Sequence, residues 1–208
     1  MTAARGAPRH VSFLLWLALA ELLAAQSLQA ADAQRGRTLA QTCLACHSQP
    51  AMSVSDSPDQ PPYRVPLLQG QQSGYLLSAL RQYRDGSRSS AIMQPFAQSL
   101  SESDLADVAA FLAGSTLQSR ADGPTTAPEG AGRVCGSCHG LDGVGRLPES
   151  PSLAGQANDY LLKTMIDYKQ HLRPHRDMAS FMEKVDAAEM QIIADYYSSL
   201  PGLRPVAQ

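Results

Sequence analysis

The most constraining feature of this 208-residue chain is a five-residue pattern, Cys-x-x-Cys-His, that occurs twice. The two copies cover residues 43–47 and 135–139 and contain all four cysteines of the sequence. This spacing is typical of covalent c-type heme attachment, in which two thiols bond one porphyrin and the adjacent histidine ligates the iron. We therefore expect two covalently bound hemes. The attachment residues are Cys43, Cys46, Cys135 and Cys138.

Other uses of paired cysteines fit this pattern less well. Structural zinc motifs usually separate their cysteine pairs by about 15–20 residues, and Cys46 and Cys135 are much further apart. Two disulfides or a thioredoxin-like pair would suit an oxidising compartment, but neither explains a histidine directly after both pairs. Heme attachment accounts for the cysteines and the histidines together.

Residues 1–33 have the layout of a secretory signal peptide. Basic residues precede an apolar stretch over residues 11–25, and small and polar residues follow it. The stretch is short and contains Glu21, so a permanent membrane span of about 20 residues is the weaker interpretation. Cleavage is expected after Ala30 or Ala33, and Ala31-Asp32-Ala33 gives the cleaner A-x-A pattern. The export that cleavage implies agrees with c-type hemes, which known bacterial proteins acquire outside the cytoplasm.

Charge is spread unevenly along the expected mature chain. Residues 34–208 carry 15 basic and 17 acidic side chains, and the part up to Arg120 has a net charge of +1 against −3 for the rest. Such an asymmetry can orient a docking partner. No basic cluster with interleaved aromatic residues occurs, so nucleic acid is not an expected partner.

An internal repeat relates the two halves. The cysteines repeat at an offset of 92 residues, whereas Tyr83 and Tyr168 repeat at an offset of 85. The first half therefore has seven extra residues, which we assign to a polar, proline-rich surface loop over residues 48–63. The expected organisation is a domain over residues 34–114, a linker over 115–129 and a second domain over 130–208.

Helical periodicity recurs in both halves. Apolar residues at i, i+4 and i+7 predict one helix in each, and capping patterns predict a second helix from Ser101 to Gly114 and its counterpart from Asp186 to Pro201. No alternating segment favours a strand. The predicted fold class is all-α, with two tandem domains that each surround one heme. The periodic positions are Leu76, Leu80 and Tyr83 in the first half and Leu161, Met165 and Tyr168 in the second.

His47 and His139 are the expected proximal iron ligands, and Met93 and Met178 are the leading candidates for the opposite faces. The two methionines lie at equivalent positions of the repeat, ten residues after its paired tyrosines. A thioether ligand raises the potential of heme iron, although methionine also commonly fills core space. In the second half His175 and Met182 remain rivals. These candidate residues are His47, Met93, His139 and Met178, with His175 and Met182 as alternatives.

The mature chain resembles the cytochrome c4 family, which consists of two class I cytochrome c domains in tandem. The resemblance covers nearly all of residues 34–208 and includes both heme motifs, the Leu-x-Gly-Gln segments, Tyr-Arg-Asp-Gly-Ser-Arg from Tyr83, and Met93-Gln-Pro-Phe. It implies hemes whose propionate edges face one another across a pseudo-twofold interface. It also implies that Pro66 and Pro151 accept hydrogen bonds from the heme histidines, although a turn before a helix would use proline equally well.

The sequence departs from this family at two points. Ser48 replaces the glycine expected after the first motif, and His171 stands in the second Tyr-x-x-Gly-x-Arg segment where glycine is usual. The motif alone therefore does not predict how the chain approaches Met178.

The resemblance implies a periplasmic electron carrier that is not an enzyme and that works by outer-sphere electron transfer. Expected partners are a quinol-oxidising complex upstream and a terminal oxidase downstream, and any association with the membrane surface would pass through them. One alternative is a heme electron-transfer subunit of a larger periplasmic dehydrogenase. Another is a heme enzyme such as a peroxidase, which needs an open axial position, and Met93 and Met178 argue against it.

Overall fold

The computed structural model describes residues 30–56, 58, 60–115, 128–129 and 134–203. Nearly all of the expected signal peptide, and most of the expected linker, lie outside these residues. The described helices are α1 (Ala33–Leu39), α2 (Gln41–His47), α3 (Ser73–Asp85), α4 (Met93–Gln98), α5 (Glu102–Ala113), α6 (Gly136–His139), α7 (Asn158–Lys169), α8 (Arg176–Met182) and α9 (Ala187–Ser199). Two strands accompany them, β1 (Ser53–Val54) and β2 (Tyr63–Arg64). Within the described part of the chain, no helix is long and apolar enough to span a membrane.

The four helices predicted from periodicity and capping are confirmed as α3, α5, α7 and α9. Ser101 and Asp104 form the capping box of α5, in which each side chain accepts a hydrogen bond from the backbone N–H of the other residue. Asp186 caps α9 by accepting the N–H of Glu189. The local signals at these helix ends therefore agree with the packing that the helices adopt.

In the first domain, α1 crosses α5 at a glycine. A Cβ atom at Gly36 would overlap the backbone oxygen of Asp107, so only glycine permits this approach. The Asp107 carboxylate is buried, and it accepts the N–H of Asp32 at 2.6 Å and Nε of Arg35 at 2.5 Å. The first described helix is thereby tied to α5, the last helix of the first half.

The segment over residues 48–63 is more ordered than a plain surface loop. Its β1 pairs with β2 in an antiparallel ladder, with Ser53 opposite Arg64 and Val54 opposite Tyr63. Strands of two residues are too short to produce an alternating pattern, which is why the sequence did not predict them. Tyr63 is buried, its hydroxyl donates to Asp56 at 2.5 Å, and its ring lies 6.1 Å from that of Tyr160 on α7.

Each half has its own hydrophobic core. The first core joins α3 and α5 through Leu76, Val108 and Leu112, and the second joins α7 and α9 through Leu161, Met165 and Tyr197 among others. Both halves belong to one compact unit that begins at Asp32, and hydrogen bonds cross between them. Three of these bonds are Arg64 Nε to Asp159 Oδ1 at 3.1 Å, Tyr75 N to Pro148 O at 3.1 Å and Gln72 Nε2 to Gly145 O at 2.9 Å.

Candidate heme sites

The first candidate site is a cavity of about 120 Å³ beside α2. Cys43, Cys46 and His47 fall at i, i+3 and i+4, so one turn of helix brings all three to the same face. Met93, in the first turn of α4, lines the same cavity. The structure thus brings together the four residues that the sequence assigned to the first heme.

The ring of His47 is held by a hydrogen bond to a backbone carbonyl. Nδ1 lies 2.7 Å from the carbonyl oxygen of Pro66, and since a carbonyl can only accept, Nδ1 is the donor. Burial lowers the pKa of His47, although the bond to Pro66 opposes this shift. The imidazole is therefore neutral at pH 7 with Nε2 left for a metal, which is the state that iron ligation requires.

The second candidate site repeats this arrangement around a cavity of about 480 Å³. Cys135, Cys138, His139 and Met178 all line it. Nδ1 of His139 lies 2.9 Å from the carbonyl oxygen of Pro151, and burial lowers the pKa of His139. The histidine to proline contact expected from the family resemblance is confirmed in both halves.

The two rival ligands of the second site also line its cavity. His175 is the N-cap of α8, where its Nδ1 accepts the N–H of Met178 at 3.3 Å. Met182 is only 2% exposed and belongs to the second core, while Met178 is partly buried and packs against that core. Nδ1 of His175 therefore caps a helix, and the side chain of Met182 fills the core. Met178 has the same position in the first turn of α8 that Met93 has in α4.

The missing glycine of the second half does not change the backbone at its turn. Gly86 follows α3 with φ of 80°, and His171, its equivalent after α7, has φ of 56°. His171 is the one described non-glycine residue with positive φ. It reproduces the left-handed turn, and Arg173 consequently takes a position in the fold that corresponds to that of Arg88.

Two buried arginines lie between the sites. Arg88 donates to the hydroxyl of Tyr160 at 3.2 Å and Arg173 donates to that of Tyr75 at 3.0 Å, so each guanidinium reaches a tyrosine of the other half. Burial alone would raise the pKa of Tyr160, but the charges of Arg88 and Arg173 outweigh it and hold that pKa below its usual range. Among the described residues no carboxylate pairs with either arginine, and Nε of Arg173 is buried without a partner.

These donors fit a c-type heme. Each cavity presents two thiols, a neutral imidazole and a thioether, and Arg88 lines the first cavity while Arg173 lines the second. Uncompensated buried guanidiniums are costly unless a negative group approaches them, and the carboxylates of a porphyrin would meet that need. The sequence indicates Arg88 and Arg173 only as members of a repeated motif, because their burial depends on how the two halves dock.

Comparisons with known proteins agree with this geometry. The family model described as Cytochrome c matches residues 33–116, and the model described as Cytochrome C oxidase, cbb3-type, subunit III matches residues 126–196. Cytochrome c4 of Pseudomonas aeruginosa is 31% identical to the chain, over 91% of this chain and 97% of that protein. The chain belongs to the cytochrome c4 family.

Two further relatives widen the comparison. The "Thiosulfate dehydrogenase electron acceptor" of Stutzerimonas stutzeri is 31% identical, over 88% of this chain and 92% of that protein. The crystal structure of reduced recombinant cytochrome c4 from Pseudomonas stutzeri covers 82% of this chain and 100% of that chain, with a TM-score of 0.64 and 26% identity. As a member of the cytochrome c4 family, this chain consists of two class I cytochrome c domains, carries two covalently bound heme c groups and is a diheme electron carrier.

Proposed function

We propose that the protein is exported to the periplasm and carries electrons from a quinol-oxidising complex to a terminal oxidase. The observation that carries the proposal is the lining of each cavity, where two cysteines, a histidine and a methionine lie together. A histidine and a methionine would hold each iron, so no position on it would be left for a substrate. This arrangement supports a carrier over a peroxidase.

The ligand assignment within this proposal follows the sequence. Cys43 and Cys46 attach the first heme, and Cys135 and Cys138 attach the second. His47 and Met93 ligate the first iron, and His139 and Met178 ligate the second. Each heme supplies a one-electron iron couple, while the protein fixes the ligands and keeps water from the iron.

Exposed apolar side chains at the cavity walls support contact with transient partners. Ile92 and Phe96 line the first cavity and are 39% and 48% exposed, and Leu147 and Phe181 line the second and are 54% and 42% exposed. Apolar groups that reach from a cofactor site to the surface give a partner a place to dock close to the heme. The uneven charge of the two halves would orient that partner.

A second candidate function is favoured by one of the relatives. The "Thiosulfate dehydrogenase electron acceptor" of Stutzerimonas stutzeri is similar over nearly its full length, so this chain could accept electrons from a periplasmic dehydrogenase of that kind. The two functions share the electron-transfer chemistry and differ only in the donor. Rapid reduction of the purified protein by such a dehydrogenase with thiosulfate, and slow reduction by a quinol-oxidising complex, would favour the second function.

The direct test of the carrier is a heme count combined with a spectral redox titration of the mature protein, purified from a host that matures c-type cytochromes. We expect two hemes per chain, two one-electron steps and no peroxidase activity. Met93→Ala should open the first iron to carbon monoxide and leave both attachments intact. Met52→Ala is the matched control, because Met52 lies in the same half but does not line the cavity.

The contacts of Asp32 support signal cleavage after Ala30 over cleavage after Ala33, where the cleaner A-x-A pattern ends. Asp32 caps α1 by accepting the N–H groups of Gln34 and Arg35, and its own N–H donates to Asp107. Cleavage after Ala30 preserves these contacts, whereas cleavage after Ala33 removes them. We expect the mass of the exported protein to correspond to a chain that begins at Ala31, and a chain that begins at Gln34 would contradict this.

A further inference from the structure

Two glutamines cross the interface between the domains in opposite directions. Gln156 of the second domain accepts the N–H of Leu67 and donates to the carbonyl of Leu67, both at 2.9 Å. Gln71 of the first domain accepts the N–H of Ser152 at 2.6 Å and donates to its carbonyl at 2.9 Å. Both glutamines are 4% exposed, so water does not compete for these bonds. Each glutamine side chain thus binds both the backbone N–H and the backbone carbonyl of one residue in the other domain.

The residues bound by the glutamines, Leu67 and Ser152, immediately follow the prolines that hold the heme histidines. The N–H of Leu67 and the carbonyl of Pro66 belong to one peptide group, and that carbonyl accepts Nδ1 of His47 at 2.7 Å. A chain of two hydrogen bonds therefore runs from Gln156 through this peptide to His47. In the other direction, Gln71 reaches His139 through the peptide of Pro151 and Ser152, whose carbonyl accepts from His139 at 2.9 Å.

Each glutamine oxygen is also fixed from its own side. Oε1 of Gln71 accepts the N–H of Gln72 at 2.9 Å, and Oε1 of Gln156 accepts the N–H of Ala157 at 3.1 Å. These residues stand at the beginnings of α3 and α7. The oxygen that meets the other domain is thus anchored to a helix end and is not a freely rotating contact.

A hydrogen bond to a peptide N–H changes what the carbonyl of the same peptide can do. Hydrogen bonds in series polarise one another, so a carbonyl whose N–H is bonded becomes a stronger acceptor. A stronger acceptor draws on the Nδ1 proton of the histidine and makes its other nitrogen a more basic metal ligand. A more basic ligand favours the ferric state and lowers the potential of the iron.

We propose that Gln156 is a positioning residue for His47 and that Gln71 is a positioning residue for His139, so that each domain tunes the iron ligand of the other. This inference rests on the assignment of His47 and His139 as ligands in the proposed function. It gives the two-domain architecture a role beyond holding two hemes in one chain, because docking of the domains sets both potentials.

Hydrogen bonds that only held the two domains together could end at any backbone group, and would not have to end at the peptides that bind the heme histidines. Other bonds that cross the interface end elsewhere: Gln72 donates to the carbonyl of Gly145, and Arg64 pairs with Asp159. These bonds join the domains without touching a peptide that holds a heme histidine. Gln72→Met is therefore a matched control for Gln71→Met, since the two positions are adjacent and both side chains cross the interface.

The test compares Gln156→Met, Gln71→Met and Gln72→Met in the mature diheme protein. Midpoint potentials are measured for each heme separately, with the two hemes distinguished by the NMR signals of their methyl groups. We expect a crossed pattern: Gln156→Met raises the potential of the first heme, Gln71→Met raises that of the second, and Gln72→Met shifts both less. The Nδ1 proton of the affected histidine should move upfield in the reduced protein.

The proposal is overturned if each substitution shifts the heme of its own domain, shifts both hemes equally, or shifts neither more than the control does. Spectra of the same samples separate this failure from failure of the proposed function, since intact methionine-to-iron absorption shows that the ligand assignment stands. If a variant does not fold, the proposal can still be tested on the unchanged protein. Scalar coupling should be detected across the bonds from Leu67 N–H to Gln156 and from His47 Nδ1 to Pro66, and its absence would overturn the proposal.

Discussion

In the first domain the turn after α3 is made by Gly86, whereas in the second domain the equivalent turn after α7 is made by His171. Both residues adopt the left-handed conformation, with φ of 80° and 56°. Histidine is among the residues that enter this region more often than most, yet it does so at a cost that glycine does not have. The comparison shows that the repeat preserves a backbone conformation even where the residue that favours it has changed.

The two domains also secure the segment after the heme motif in different ways. In the first, the β1–β2 ladder and the bond from Tyr63 to Asp56 hold the longer loop. In the second, the hydroxyl groups of Tyr196 and Tyr197 donate to the carbonyls of Leu141 and Gly140, at 2.7 Å and 3.2 Å. A short segment is thus fixed by side chains of the last helix, and a long one is fixed largely by its own backbone.

The largest effect is expected where the first domain depends on a glycine crossing. Gly36→Val forces α1 away from α5, because the added carbon would overlap the Asp107 carbonyl, and we expect a loss of about 3 kcal/mol in the free energy of unfolding. Amide exchange should rise first in these two helices and least in the second domain. Gly114→Ala is the control, since its added carbon meets only ordinary contacts. An equal loss in both variants would contradict the close approach.

One substitution in each domain tests whether the two turns are equivalent. Gly86→Ala should cost about 1–2 kcal/mol, because alanine is strained at positive φ, while His171→Gly should stabilise the second domain by about 0.5–1 kcal/mol. Denaturant unfolding measures both changes. Glu183→Gln controls for the exposed contact between His171 and Glu183 at 3.4 Å, which we expect to contribute little. Destabilisation by His171→Gly would show that the side chain, and not the backbone, maintains this turn.

The tyrosine contacts of the second domain give a smaller effect. Tyr197→Phe removes the hydroxyl that donates to Gly140, whose carbonyl still accepts the N–H of Gly143, and the loss of this one hydrogen bond should cost about 0.5–1 kcal/mol. We expect faster amide exchange between residues 140 and 146 and no change in the first domain, where Leu112 stands at the equivalent position. Unchanged exchange in that segment would mean that the hydroxyl does not secure it.

The smallest effect is a dependence on pH that should be confined to the first domain. Hydrogen bonds from Arg81 and Arg84 lower the pKa of Glu102, which joins α3 to α5, and Ala187 replaces it in the second domain. Because the folded pKa is the lower one, the stabilisation is present above the unfolded value and is lost as the pH falls through the folded value. The pair is exposed, so we expect less than about 1 kcal/mol.

Comparison of the unchanged protein with Glu102→Gln at pH 6 and at pH 3 measures this contribution. The variant should be less stable at pH 6, and its difference from the unchanged protein should shrink as the pH is lowered to 3. A difference that is as large at pH 3 as at pH 6 would show that the stabilisation does not come from the charge of Glu102.

The sequence was informative wherever the signal is local. The spacing of Cys43, Cys46 and His47 predicted the attachment unit, and the periodicity around Leu76 and Leu161 predicted α3 and α7. It missed the β1–β2 ladder, whose strands are too short for any period. It also missed the grip of Gln71 and Gln156 on the other domain, because contacts between docked surfaces depend on an orientation that no local pattern encodes.

In the proposed function, methionine sulfur ligates the iron of both covalently attached hemes. Proton NMR of the fully reduced mature protein tests this most directly, because a methionine methyl group bound over the face of a heme is shifted strongly upfield. We expect two such methyl signals of equal intensity, one of them lost in Met93→Ala and the other in Met178→Ala. A single upfield methyl signal, or none, would contradict it.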